Sequence, residues 1–416
     1  MKTGPESGRR TDGAADAADV VGLCQSLVRI PSVMREEGKL AAYAAEQMEH
    51  LGFESVRIDA MGNVFGRVSG TARAGAGEAR EPRRLLLDAH IDTIAVTEPS
   101  KWTVDPFGGE VRDGKVFGRG SSDMKGSFAA MLTAGAALAR DRSAFSGEFW
   151  VAGTVCEEVV EGPSLGFVMD QVSPTWVVIG EATSLNLNVG QRGRAEIQVT
   201  TYGRPAHSST PHLGVNAVDK MTRLMGEIKL LELGRDELLG PAIMALTAVQ
   251  SRPYPGQSVV PDRCSATYDR RLLVGEEPEF VLDQVRQAIK RLALEDSTFS
   301  ADVDLAKAVF DTYTGHHMER VCFARAWKTS VDSPLVRGSL AGLRAAGLSP
   351  KMAAYAFCTN GSESAGLRGV PTVGFGPGNE AQAHTVDEHV EINSLRAAAS
   401  GFEGLARALL LPEPAR

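Results

Sequence analysis

The chain of 416 residues has few cysteines: Cys24, Cys156, Cys264, Cys322 and Cys358, odd in number and widely scattered. None stands at the paired spacing of a zinc site or a redox pair. A disulfide framework is therefore excluded, and the five read as reduced, mostly core residues. No stretch approaches the ~20 apolar residues of a membrane span. The polar opening "MKTGPESGRRTDGAADAADV" lacks the apolar centre of a secretory signal. These absences predict a soluble cytoplasmic protein with a flexible tail over residues 1–17 and no membrane partner. Long Lys/Arg runs are also missing, and the formal net charge is -8. Nucleic acid is therefore not an expected partner.

What is present is enough chain for two cores. From residue 18 to about 191, helical patterns such as "KLAAYAAEQMEHLGF" and "SFAAMLTAGAALARD" alternate with strand patterns such as "RLLLDAHI", "GEFWVAGTV" and "TWVVIGEA". That order predicts an α/β domain with a mostly parallel central sheet. Over residues 192–312 the pattern becomes strand, helix, strand, strand, helix, which describes an inserted α+β unit of ferredoxin-like type. The α/β pattern resumes over residues 313–416. There is no internal repeat.

In an open α/β sheet, ligands gather beyond the carboxyl ends of the strands. His90 and Asp92 follow one apolar run, Asp123 follows "VFGRGSS", Glu157 and Glu158 follow "WVAGTVC", and Glu181 follows "WVVIG". His384 lies behind the strand that ends at Phe375. Taken singly, such a His is more often a hydrogen-bonded structural residue, "EE" a solvated pair, and Asp123 a helix N-cap. Together, two imidazoles and several carboxylates at one rim suit one or two divalent metals. The three charges of Asp123, Glu158 and Glu181 favour two. Asp92, two residues after His90 on one strand face, is placed to accept the second ring N–H.

The ordered segments "HIDT", "GRGSSDMKG", "CEEV", "GEATS" and "AHTVDE" resemble the zinc-dependent metallopeptidase family that includes acetylornithine deacetylase, succinyl-diaminopimelate desuccinylase, carboxypeptidase G and aminoacylase. Within that family, "IGEATSLNLNVGQRGRAEI", "SVVPDRCSATYDRRLLVGE" and "FCTNGS" look most like the branch labelled selenium-metabolism-linked hydrolases, a label that names a genetic association. The resemblance implies a dinuclear zinc-peptidase catalytic domain with the inserted unit as lid and dimerisation domain. Asp123 would bridge two divalent ions, Zn²⁺ first, with Co²⁺ or Mn²⁺ as alternatives. His90 and Glu181 would complete one site, Glu158 and His384 the other. Glu157 would be the general base, Asp92 an orienting acid, and Asp123–Met124 a cis peptide. His207 in the lid would assist catalysis, acting from the partner subunit of a homodimer.

The implied activity is hydrolysis of an amide bond in an N-acyl amino acid or small peptide, by a water activated between the metals and deprotonated by Glu157. A dipeptidase or aminopeptidase is the alternative among enzymes, and a catalytically silent small-molecule-binding dimer the alternative outside them. Arg192, Arg194, Arg270 and Arg271 are the basic residues expected near the lid cleft, Arg271 either as partner of a substrate carboxylate or in a structural salt bridge. Ser258 and Asn360 stand where the family's pattern differs from this chain, in segments that lie near the substrate. "GFGPG" at 374–378 could bring backbone close to the substrate.

Overall fold

The computed structural model describes residues 19–72 and 82–411; the tail expected over residues 1–17 lies outside them. The described residues build two main sheets, each with its own buried core.

The larger sheet has nine strands. Its centre is Glu148–Thr154, Arg84–His90, Trp176–Ile179 and Thr372–Gly374, side by side and parallel. The strand Arg84–His90 shows why the sequence runs Leu-Leu-Leu. Leu85 and Leu87 pack into the core that contains Phe128 and Leu132 of the helix Gly126–Arg140. Leu86 points the other way, against Trp150, Val177 and Leu165 of the helix Pro163–Val172. A strand covered on both faces needs a continuous apolar run. The flanks are antiparallel: Val64–Ser69 runs against Glu148–Thr154, and Leu187–Gln191 against Thr372–Gly374. Glu54–Ile58 joins Val64–Ser69 by a tight turn in which Asp59 accepts the N–H groups of Gly62 and Asn63, each at 3.0 Å. Such a turn forces antiparallel pairing, whereas the central strands need long crossovers. Because the four central strands are parallel, their carboxyl ends share one edge.

The second sheet comes from Gly193–Tyr202, the helix Ala217–Lys229, the strands Ile243–Arg252 and Arg263–Leu272, the helix Pro278–Glu295 and the strand Ser300–Leu305. All its ladders among these four strands are antiparallel, in the spatial order Ile243–Arg252, Arg263–Leu272, Gly193–Tyr202, Ser300–Leu305. The last strand completes the ferredoxin-like pattern that the sequence left one strand short. Along Arg263–Leu272 the pleat sends Cys264, Ala266, Tyr268 and Leu272 into the core with Met221 and Val285 of the two helices. Arg270 shares that parity. It is fully buried, with Nη2 2.7 Å from Glu276, so it does not reach a cleft as expected from its neighbour Arg271.

A hairpin of Lys307–Asp311 and His317–Val321 returns to the first sheet. At its tip Tyr313 donates to the carbonyl of Gly62 at 3.0 Å and Thr314 to that of Ala60 at 2.7 Å. The boundary expected between residues 312 and 313 lies within this hairpin, but the chain then runs back to the second sheet, where Phe323–Ala324 pairs with Gly193–Tyr202, and rejoins the first sheet at Trp327–Lys328. All five cysteines are free, four of them buried. No helix among the described residues is long and apolar enough to cross a membrane.

Candidate metal and catalytic centre

His90 is the last residue of its strand, and its ring is buried. Nδ1 lies 2.9 Å from the backbone carbonyl of Asp92. A carbonyl only accepts, so Nδ1 carries the proton and Nε2 is turned into the site. There it lies 3.0 Å from Oδ1 of Asp123 and 3.4 Å from Oε1 of Glu181. The carboxylate of Asp92 does something other than expected. It stands 3.8 Å from Nδ1 and instead accepts the backbone N–H groups of Glu157 at 3.1 Å and Glu158 at 3.0 Å. The reason is chain geometry: Asp92 lies past the strand end, where the turn from Thr154 to Glu158 passes beside it.

Asp123 follows Gly120, whose φ of 83° sets the turn out of the preceding strand, and its peptide to Met124 is cis. The residue does not cap the helix that begins at Gly126; its side chain faces the imidazoles. Oδ1 meets His90, and Oδ2 lies 3.3 Å from Nε2 of His384. His384 in turn reaches Oε2 of Glu158 at 3.0 Å. Glu181, at the end of Trp176–Ile179, is held by a close backbone passage. A Cβ on Gly376 would come within 2.3 Å of the carbonyl oxygen of Gly180 and 2.4 Å of that of Glu181. Gly376 of "GFGPG" therefore lets backbone press on the Glu181 segment, while Gly374 makes room for the Tyr355 ring and Gly378 for Ser122.

Electrostatics follow from burial. Desolvation pushes the carboxyl groups of Glu157 and Glu181 up, and the neighbouring carboxylates add to it. Burial would also raise Asp123, but hydrogen bonds from His384 and His90 hold it below the usual carboxylate range. His384 rises to about 10, chiefly through its hydrogen bonds to Asp123 and Glu158. For His90, burial opposes the charge, yet Asp123 and Glu181 raise it well above its ordinary value. Four carboxylates thus face the two imidazoles, and in the absence of metal both rings are pushed towards their charged form. Divalent ions fit the same donors. His90, Asp123 and Glu158 each offer an atom within 4.8 Å of the others, and so do His90, Glu157 and Glu181. Glu157 is thus itself within ligand reach.

A cavity of about 420 Å³ opens over this cluster, lined among others by Glu157, Glu181, His384, Arg194 and Arg271. Arg271 is tied to Asp269 at 2.9 Å, and Arg194 to Asp269 at 2.9 Å and Glu161 at 3.2 Å. Arg192 donates instead to the carbonyls of Ala356 and Pro241. Asn360 is buried away from the cavity. Its amide donates both hydrogens, to Asp88 at 2.9 Å and to Thr154 at 3.1 Å, and its oxygen accepts from Gly162 at 2.7 Å, so it leaves no N–H for a substrate. Asp88, on the same strand as His90, is thereby a structural anchor. His207 and Ser258 are exposed and not among the cavity's lining residues. The His207 ring bonds to Ser209 at 2.7 Å.

Residues 86–408 match the model of peptidase family M20/M25/M40. The chain belongs to this family. It is an enzyme of the metallopeptidase and amidohydrolase group, acting on C–N bonds. It is 33% identical over 378 residues to the uncharacterized protein YgeY of Escherichia coli (strain K12), covering 89% of each chain. It is 30% identical over 320 residues to succinyl-diaminopimelate desuccinylase 2 of Ruegeria sp. (strain TM1040), covering 73% of this chain and 78% of that one. Its fold is that of the Bacillus subtilis YXEP protein, described as a dinuclear metal binding peptidase, with a TM-score of 0.70, 12% identity, and 94% and 97% of the chains covered.

Three residues at the site carry no motif of their own: Glu388 and Arg119, which bond to each other behind Asp123, and Glu161, which pairs with Arg194 at the cavity. The only signal in the sequence was the place of Glu388, four residues after His384 in "AHTVDE".

Proposed function

We propose that this family member hydrolyses the amide bond of an N-acyl amino acid or a small peptide, using two divalent metals held by His90, Asp123, Glu158, Glu181 and His384. The observation that carries the reading is Asp123, whose two oxygens face two different imidazoles, 3.0 and 3.3 Å away. Each imidazole has a further carboxylate beside it, Glu181 for His90 and Glu158 for His384. A bound divalent ion lowers the pKa of water and polarises a carbonyl. Zn²⁺ is the ion we assign first, since nitrogen and carboxylate donors suit it.

Glu157 borders the cavity and is almost fully buried, in surroundings that raise its affinity for a proton. That property suits a base that takes a proton from the attacking water and delivers it to the departing nitrogen. Arg271 lines the cavity with its charge already anchored by Asp269, in a position to orient a substrate carboxylate. A silent binding protein would have no use for Glu157 at that place.

We assign the second sheet as the lid and the dimer contact. Among the described residues its outer strand Ile243–Arg252 has one unpaired edge and exposes Ile243, Leu246 and Val249. Such an edge is a template for pairing with a second copy.

The test is a hydrolysis screen of metal-loaded protein against N-succinyl, N-acetyl and N-carbamoyl amino acids and dipeptides, with Glu157→Gln as the blank. Turnover of one class by the wild type and none by the variant is the expected result. Equal turnover by both would remove the mechanism.

A further inference from the structure

Glu388 is a fully buried carboxylate whose oxygens are both occupied on the loop that carries Asp123. Oε1 accepts the backbone N–H groups of Ser122 at 2.9 Å and Asp123 at 3.0 Å. Oε2 accepts the N–H of Gly120 at 3.0 Å and Nη1 of Arg119 at 2.7 Å. The neighbouring amides of the loop bond elsewhere, Ser121 to the carbonyl of Gly118 and Lys125 to that of Gly120. For Gly120, Ser122 and Asp123, Glu388 is the acceptor. The same carboxylate sits four residues beyond His384, whose ring meets Oδ2 of Asp123.

We infer that Glu388 is a positioning residue that sets Asp123 between its two imidazoles by holding the backbone of residues 120–123 to the segment bearing His384. This rests on the two-metal reading of the site. The physical case is one of bond count and direction. Four donors converge on two oxygens, so the carboxylate cannot turn, and Asp123 has its own N–H fixed on Glu388 while its side chain faces the two imidazoles. Arg119 neutralises the charge and donates through Nη2 to the carbonyl of Thr385 at 3.3 Å, binding the loop to the His384 segment a second time. Asp92 does the equivalent for Glu157 and Glu158. Each imidazole is thus followed in the chain by a carboxylate that fixes the backbone of the acidic residues opposite.

Glu388→Gln has nearly the same volume but must turn an NH₂ group either on Ser122 and Asp123 or on Gly120 and Arg119. Donor then faces donor, and the loop has to shift. The experiment measures Co²⁺ binding by calorimetry, together with the visible spectrum of the Co²⁺ form, for wild type and Glu388→Gln, and thermal unfolding of both without metal. We expect Co²⁺ affinity to fall by at least ~10-fold, as for other groups that orient ligands. The Co²⁺ spectrum should change, and raised Co²⁺ should restore turnover. A merely structural Glu388 would lower the unfolding temperature and leave affinity and spectrum of the folded protein as in wild type, which overturns the inference.

Should Glu388→Gln not fold, hydrogen exchange in the metal-free wild type decides. The peptide spanning residues 119–123 must be protected despite lying in a loop, and exchange at the rate of exposed amides overturns the proposal. A wild type that binds no Co²⁺ would remove the metal reading, while protection of that loop would still report on Glu388.

Discussion

The carboxylate of Asp92 receives the backbone N–H of Glu157 at 3.1 Å, so the residue assigned as base is held through its main chain by a neighbour of His90. Asp92→Asn must set an NH₂ against the N–H of Glu157 or of Glu158. We expect turnover to fall by roughly 10–100-fold with the fold retained, measured by steady-state kinetics beside circular dichroism. A variant that keeps wild-type turnover would show that the two backbone bonds do not orient the pair.

The adjacent glutamates should separate by assay. Glu157→Gln keeps its metals and loses at least ~10²-fold in turnover, whereas Glu158→Gln loses metal content, because Glu158 meets His384 at 3.0 Å. Elemental analysis after gel filtration reads the first property and kinetics the second. Metal loss from Glu157→Gln instead would make Glu157 a ligand, as its reach to His90 and Glu181 allows.

Without metal, His384 titrates at about 10, above its ordinary 6.5, because Asp123 and Glu158 hold its proton. A raised folded-state pKa stabilises the metal-free fold fully below about pH 6.5 and ceases to do so as pH rises through about 10. Metal must displace that proton, so metal affinity has the opposite sign and climbs over the same window. Denaturant titrations of metal-free wild type and His384→Gln should converge as pH rises, and calorimetry in buffers of different ionisation heat should show proton release on metal binding. A gap in stability that does not change with pH would contradict the assignment.

Asn360 separates a structural role from a substrate role. Removing its amide leaves Asp88 and the N–H of Gly162 buried with fewer partners, a loss of about 1–3 kcal/mol for such a group. Asn360→Ala should therefore unfold at lower denaturant with little change in KM. A raised KM at unchanged stability would return Asn360 to the substrate.

His207 stands exposed, bonded to Ser209, away from the cavity lining. If it serves the site of a partner copy, Glu157→Gln and His207→Ala are both nearly inactive as homodimers. Reassorting equal amounts makes about half the dimers mixed, each with one intact site, so activity returns to roughly a quarter of wild type. Mixing without subunit exchange is the control. Verified exchange with no recovery would place His207 outside the partner's site.

The order of strands and helices was legible because it is local. Leu85, Leu86 and Leu87 announce a strand buried on both faces, and polar residues just beyond such runs mark the rim where parallel strands end. His90, Glu158 and Glu181 could be picked out for that reason, whereas Asp123 follows Lys115–Phe117, a strand of a separate antiparallel sheet, and His384 lies well beyond the strand Thr372–Gly374, so tertiary packing brings these two to the rim; the motifs that carry the family resemblance lie in those same short segments. The sequence alone could not say what each polar atom touches, since that depends on partners far along the chain. Asn360 bonds to Asp88 across 272 residues, and Glu388 to Asp123 across 265. Pleat parity buries Arg270 and leaves Arg271 on the cavity, although the two are adjacent and alike. Asp92 turned to the backbone of Glu157 instead of the ring of His90 because the tertiary fold brought two N–H groups closer to it than Nδ1. Residue type and local spacing thus determined which groups gather at the rim, and only the packing of distant segments decided which of them face the cavity and which hold the others in place.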